Sequence, residues 1–147
     1  MATPTETIAF LQQHNSTVDP GLKCPTAFPP SLLKRNLPCV LVFPMRGASR
    51  KLSRDVAMTE RIYDVSVYLQ LVGEEWEMDT AIQESDRLIP LFQELYLFNP
   101  RLNSTSHYPR INASPVEDTG VSILGYGPDD FHGFRFYINV IDLVQKV

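Results

Sequence analysis

From residue 61 to residue 72 apolar and polar side chains alternate: Tyr63, Val65, Val67, Leu69 and Leu71 interleave with Asp64, Ser66, Tyr68 and Gln70. A period of two marks a strand with one face turned inward. A strand like this commits the chain to a sheet, and the sheet needs an apolar layer to cover that face. The segment Leu37 to Phe43 supplies a neighbour. Its near-continuous apolar run, with prolines around it, suits a strand buried on both faces. Phe134 to Val144 alternates again, with Phe134, Phe136, Ile138 and Val140 opposite Arg135, Tyr137 and Asn139. Val121 to Tyr126 reads as a shorter strand, joined to it by the turn chemistry of Gly127-Pro128-Asp129-Asp130.

The covering layer is a helix. Ile82, Leu88, Ile89, Phe92, Leu95 and Tyr96 recur at spacings of three and four up to about residue 98. Asp79 or Thr80 suits its start, and Thr80 with Gln83 matches a capping box. Pro90 is expected to kink the helix or split it near Leu88, because its ring removes one backbone bond and crowds the preceding turn. A short helix over residues 5 to 14 carries Ile8, Phe10 and Leu11. The expected fold is α+β, a mainly antiparallel four-stranded sheet with the kinked helix on one face and a short N-terminal helix.

Three segments fall outside these elements. Residues 15–38 hold five of the twelve prolines and read as an extended connector pinned by Leu32 and Leu33. Residues 44–60 are too long for a tight turn and either extend the flanking strands as a protruding arm or are mobile. Residues 99–120 read as a long loop that is either functional or hides a short strand around Tyr108 to Ile111. With 147 residues, the whole chain is one domain of ordinary size.

Composition narrows the class. Hydrophobic residues make up 44% and charged ones 20%, which excludes wholesale disorder. No apolar run is long enough for a membrane span, and the first ten residues lack the basic start of a signal peptide, so a soluble, cytosolically made protein is expected. Cys24 and Cys39 match no metal or redox spacing and read as idle thiols. Asp129, Asp130 and His132 fall within four residues, yet no second cluster offers the remaining metal ligands. Gly125-Tyr126-Gly127 lacks the third glycine and following helix of a phosphate loop, and no nucleophile motif is present. No catalytic residue, cofactor or metal is expected.

Charge is distributed unevenly around a net value of -4. Lys34, Arg35, Arg46, Arg50, Lys51, Arg54 and Arg61 face only Asp55 and Glu60 in one block. Glu74, Glu75, Glu77, Asp79, Glu84 and Asp86 form a second block without a basic residue. Both suit solvated surface, and acids also suit a helix start. The sharper reading is that a basic arm on one copy meets an acidic edge on the next, with Arg46, Arg50, Lys51, Arg54, Glu74, Glu75, Glu77 and Asp79 as the interface. Such a heterologous contact closes into a ring when the rotation is right. The arm lacks the interleaved aromatics of a single-strand binder, so DNA passing through a channel fits better than sequence recognition.

The order of these elements resembles that of tail terminator (tail completion) proteins of bacteriophages with long non-contractile tails. The resemblance runs over about residues 5 to 145. It is carried by the strand Leu37-Pro38-Cys39-Val40-Leu41-Val42-Phe43, the long charged hairpin, the strand from Tyr63 to Leu69, the helix with Leu88-Ile89-Pro90-Leu91-Phe92, and the final strand pair. It implies a structural virion protein, not an enzyme, that assembles as a hexameric ring on the tail tube. Such a ring stops tube polymerisation and offers a surface to head-tail connector proteins. The implied partners are other copies of the chain, the tail tube protein and the connector, with no membrane. The implied location is the head-proximal end of the tail, reached through the host cytoplasm. Two other readings stand beside it: a head-tail neck or connector protein, and a small cytosolic enzyme or ligand-binding α+β domain with a cleft between helix and sheet.

Overall fold

The computed structural model describes residues 2–73, 77–112 and 117–146. Helix α1 spans Pro4–Asn15, with Thr3 capping its start by accepting a hydrogen bond from the Glu6 amide, and with Pro4 in the first turn, where a missing N–H is tolerated. Strands β1 (Cys39–Lys51) and β2 (Val56–Leu71) form a long hairpin. Helix α2 covers Glu77–Phe98. Three short strands follow, β3 (Arg110–Ile111), β4 (Glu117–Asp118) and β5 (Ser122–Tyr126), before the 17-residue β6 (Asp129–Gln145). The sheet order is β1-β2-β6-β3, with β4 and β5 also paired to β6, and every strand pair is antiparallel. The α+β architecture therefore matches the sequence expectation.

Alternation decides which side chains meet. Val40, Val42, Tyr63, Val65, Val67, Leu69, Phe134, Phe136, Ile138 and Val140 share the face covered by Ile8 and Leu11 of α1 and Leu88, Phe92 and Tyr96 of α2. At the centre the Phe92 ring lies 5.6 Å from Phe136 and, nearly edge-on, 6.0 Å from Phe134. The opposite face carries a smaller core of Leu32, Cys39, Leu41, Tyr68, Leu124 and Phe131. Leu71 belongs to this second core, not to the face of Tyr63. A bulge between Tyr68 and Gln70 adds one residue, and one residue reverses the side to which everything beyond it points.

Other expectations are corrected. Residues 44–60 do extend both flanking strands, but not as a protruding arm, since the β2 leg is paired with β6 from Val56 onward. Hydrogen bonding to a third strand holds the hairpin in the sheet. α2 is not split at Pro90 but continues to Phe98, its apolar face anchored on the sheet on both sides of the proline. It starts at Glu77, so Asp79 and Thr80 lie in its first turn and do not cap it. Ile82 is exposed. Leu33 is 46% exposed, and Leu22 pins the connector together with Leu32, near the point where Lys23 bridges to Cys39. β3 fills the strand foreseen around Tyr108 to Ile111.

Candidate assembly interface

β1 leaves regular pairing at Pro44, where the register skips to Gly47. Pro44 has no amide proton to offer, and a bulge accommodates that loss. The Met45 carbonyl turned out by the bulge accepts a hydrogen bond from Arg61 Nη1 at 2.7 Å. Gly47 makes room for that guanidinium, since a Cβ there would lie 3.1 Å from Arg61 Cζ and from the Glu60 carbonyl oxygen. Past the bulge, Arg50 pairs with Met58 and Lys51 with Ala57. The turn closes where the Leu52 and Ser53 amides donate to the Val56 carbonyl, and the Lys146 amide donates to Asp55 O at 2.7 Å. Arg50, Lys51 and Arg54 are thereby placed, all exposed, at one end of the sheet, with exposed Arg46 at the bulge nearer its middle.

The basic block of the sequence is not one patch. Lys34 and Arg35 sit in a 3-10 turn at the opposite end, where Lys34 lines a hollow with Leu69, Gln70, Thr80 and Glu84. Arg61 is committed to Met45. The acidic block divides as well. Glu84 is bonded to Arg87 at 2.7 Å, and Arg87 also reaches Asp19 at 2.9 Å, which holds the Asp19 carboxyl below its usual range. Asp79 is exposed in the first turn of α2. Glu74 and Glu75 lie outside the described residues, as does the side chain of Glu77.

Asp129 and Asp130, read from sequence as turn chemistry and weighed with His132 as metal ligands, are exposed at the start of β6. The Val72 amide donates to the Asp130 carbonyl at 3.0 Å, which sets these two acids beside the entry to the acidic segment. Pairing of β2 with β6 makes this join, and no local signal announces it. His132 lies within β6 with its side chain buried. Among the described residues no group of three or more His, Cys, Asp or Glu is placed to share a metal ion.

The two charged ends are separated by the 16 residues of β2. At ~3.3 Å per residue that is about 50 Å, several times the screening length of ~8 Å in physiological salt. Arg50, Lys51 and Arg54 are therefore too far from Asp129 and Asp130 to pair with them within one copy, whereas Lys34 and Arg35 lie at the acidic end itself.

Between the ends, the sheet's second face carries a compact polar group. Ser66 Oγ donates to Asp64 Oδ1 at 2.6 Å, and Arg135 Nη1 stands 3.6 Å from Asp64 Oδ2. A hollow near the start of α1 is lined by Thr7, Ser49, Thr59, Arg61, Tyr63 and Asp142. The Asp142 carboxylate is already engaged there, accepting from the Ala2 amide at 2.7 Å and the Leu143 amide at 2.8 Å.

No helix among the described residues is long and apolar enough to cross a membrane. Neither a protein-family model nor a curated protein matches the chain.

Proposed function

We propose that this chain is a ring-forming structural protein that terminates the tail tube of a bacteriophage with a long non-contractile tail. In this role copies join side to side, the closed ring blocks addition of further tube subunits, and one surface is left for the head-tail connector. The observation that carries the proposal is the separation of charge. Exposed Arg50, Lys51 and Arg54 stand at one end of a long sheet, with Arg46 at the bulge nearer its middle, and Asp79, Asp129 and Asp130 stand at the other end, where Lys34 and Arg35 also lie. Patches too far apart to pair within a copy can pair between copies, and contacts between unlike surfaces build rings. The element order described above supports the choice of tail terminator among ring-forming proteins.

Immunolabelling of purified tails tests the role. Label confined to the head-proximal tip is expected, and label along the tube or at the baseplate overturns it. Loss of the chain is expected to give over-long tubes, whereas tubes of normal length lacking heads would indicate a neck protein. Arg50→Glu with Lys51→Glu should weaken assembly, and Glu74→Lys with Glu75→Lys should restore it if those residues meet across the contact.

A further inference from the structure

β1 is the outermost strand of the sheet, and past Val40 its outer side meets no other strand among the described residues. Lys23 occupies only the first positions, its amide donating to Pro38 O and its carbonyl accepting from the Val40 amide. An open edge of this length presents backbone donors and acceptors to any extended chain. Apolar side chains flank it: Met45 is 41% exposed, and Phe28, half exposed, stacks on Phe43 with the ring centres 5.0 Å apart. Arg46, Arg50 and Lys51 follow along the same strand.

We infer that this β1 edge, from Phe43 to Lys51, is the seam between copies, and that it takes the acidic β5–β6 hairpin end of a second copy, around Asp129 and Asp130. The inference rests on the ring-forming reading and specifies its contact surface. Charge selects the occupant. Two β1 edges brought together by a twofold axis would set Arg46, Arg50 and Lys51 of one copy against the same residues of the other, and like charges facing each other across strands repel. The hairpin end offers the opposite sign. It is a tight projecting turn, in which Tyr126 pairs with Asp129 and Gly127 takes φ 59°. That angle meets the demand of the first corner of a two-residue hairpin turn. A basic edge joined to an acidic hairpin is a head-to-tail contact, as a ring requires. The bulge and the positive charges that guard an open edge against indiscriminate pairing here also choose the sign of the partner.

Two pools of full-length chain test this, one carrying Ser49→Cys and a size tag, the other Pro128→Cys. Native Cys24 and Cys39 are poor thiolates, because burial pushes them up to about 12 and about 11. After mixing and mild oxidation, a disulfide between the two pools is expected. Cross-links confined to the Ser49→Cys pool would show twofold pairing and overturn the inference. So would the absence of any product at the highest attainable concentration. A second variant, Arg46→Ser with Arg50→Ser and Lys51→Ser, should associate at least about tenfold more weakly with an unchanged circular dichroism spectrum. Stronger association by this variant would mean that the charges serve only to guard the edge, and would also overturn the inference. Tail labelling reads the role independently: tip labelling without the mixed disulfide refutes the seam alone, and the mixed disulfide with label along the tube refutes the terminator role alone.

Discussion

Gly133 on β6 lies so close to Val67 on β2 that a Cβ at Gly133 would stand 2.0 Å from the Val67 carbonyl oxygen and 3.2 Å from Leu124 Cδ1. The approach occurs beside the bulge between Tyr68 and Gln70, where β2 gains a residue and presses its backbone onto its partner. The clash is with main chain in the centre of the sheet and cannot be relieved by a side-chain rotation. Gly133→Ala is therefore expected to cost about 3 kcal/mol or more. Urea unfolding would measure it, and a midpoint near that of the wild type would show that the strands separate easily.

Gln12 joins three segments. Its Nε2 donates to Val40 O at 2.7 Å and to Pro25 O at 2.8 Å, while its Oε1 accepts from Asn15 Nδ2 at 3.1 Å. Asn15 in turn accepts from the buried Tyr96 hydroxyl. Gln12→Leu strands several buried polar atoms and should lower stability by about 2–3 kcal/mol. Tyr96→Phe should cost about 1 kcal/mol. The double variant should lose less than the sum, because both act on one network, and a thermal-denaturation cycle would detect strict additivity if the network were not coupled.

Phe92 is completely buried between Tyr96, Phe134 and Phe136. Phe92→Ala opens a cavity where α2 meets the sheet and should cost about 3–5 kcal/mol. Phe92→Leu should recover a large part of that loss. Equal midpoints for the two variants in guanidinium unfolding would argue against a rigid contact at this point.

Alkali should destabilise the fold through its thiols. Desolvation raises Cys39 from 9.0 to about 11 and Cys24 to about 12. Their contribution is complete below pH 9, where both states keep the proton. It falls as pH rises towards 11 and 12, because only the unfolded chain ionises in that range. Stability measured at intervals above pH 9 should decline less steeply in Cys24→Ala and Cys39→Ala than in the wild type. Parallel curves would rule out the thiols as the cause. A thiol reagent at pH 8 should label the native protein slowly and the denatured protein at once.

Alternation named the side chains that share the main core, but not that the opposite face of β2, with Asp64, Ser66 and Tyr68, is buried as well. Residues 63–69 of β2 and residues 134–140 of β6 point as their pattern requires. The pattern failed at Leu71, because the bulge depends on how closely two strands approach and not on either strand's composition. Of the two outcomes expected at Pro90, a kink or a split, the split does not occur. The proline's local cost is outweighed by the packing of Leu88 before it and Phe92 and Tyr96 after it. Of the candidate interface, Arg46, Arg50, Lys51 and Arg54 could be named from charge alone, and all four are exposed along the β1–β2 hairpin. Asp129 and Asp130 could not be joined to the acidic end, because they are more than forty residues from it along the chain and are brought beside Val72 by the pairing of β2 with β6.

Side-chain order by itself determined that this chain makes a sheet covered by an apolar helix, since burial of a one-sided surface follows directly from periodicity. It also determined that basic and acidic residues are segregated. Tertiary structure alone decided that the extended β2 is bound along β6 instead of protruding, that two of the seven basic residues lie at the other end of the molecule, and that among the described residues β1 is left as an open edge. These features depend on which strands become neighbours. Strand pairing is a contest among distant segments for the same backbone hydrogen bonds, and no single segment contains its outcome.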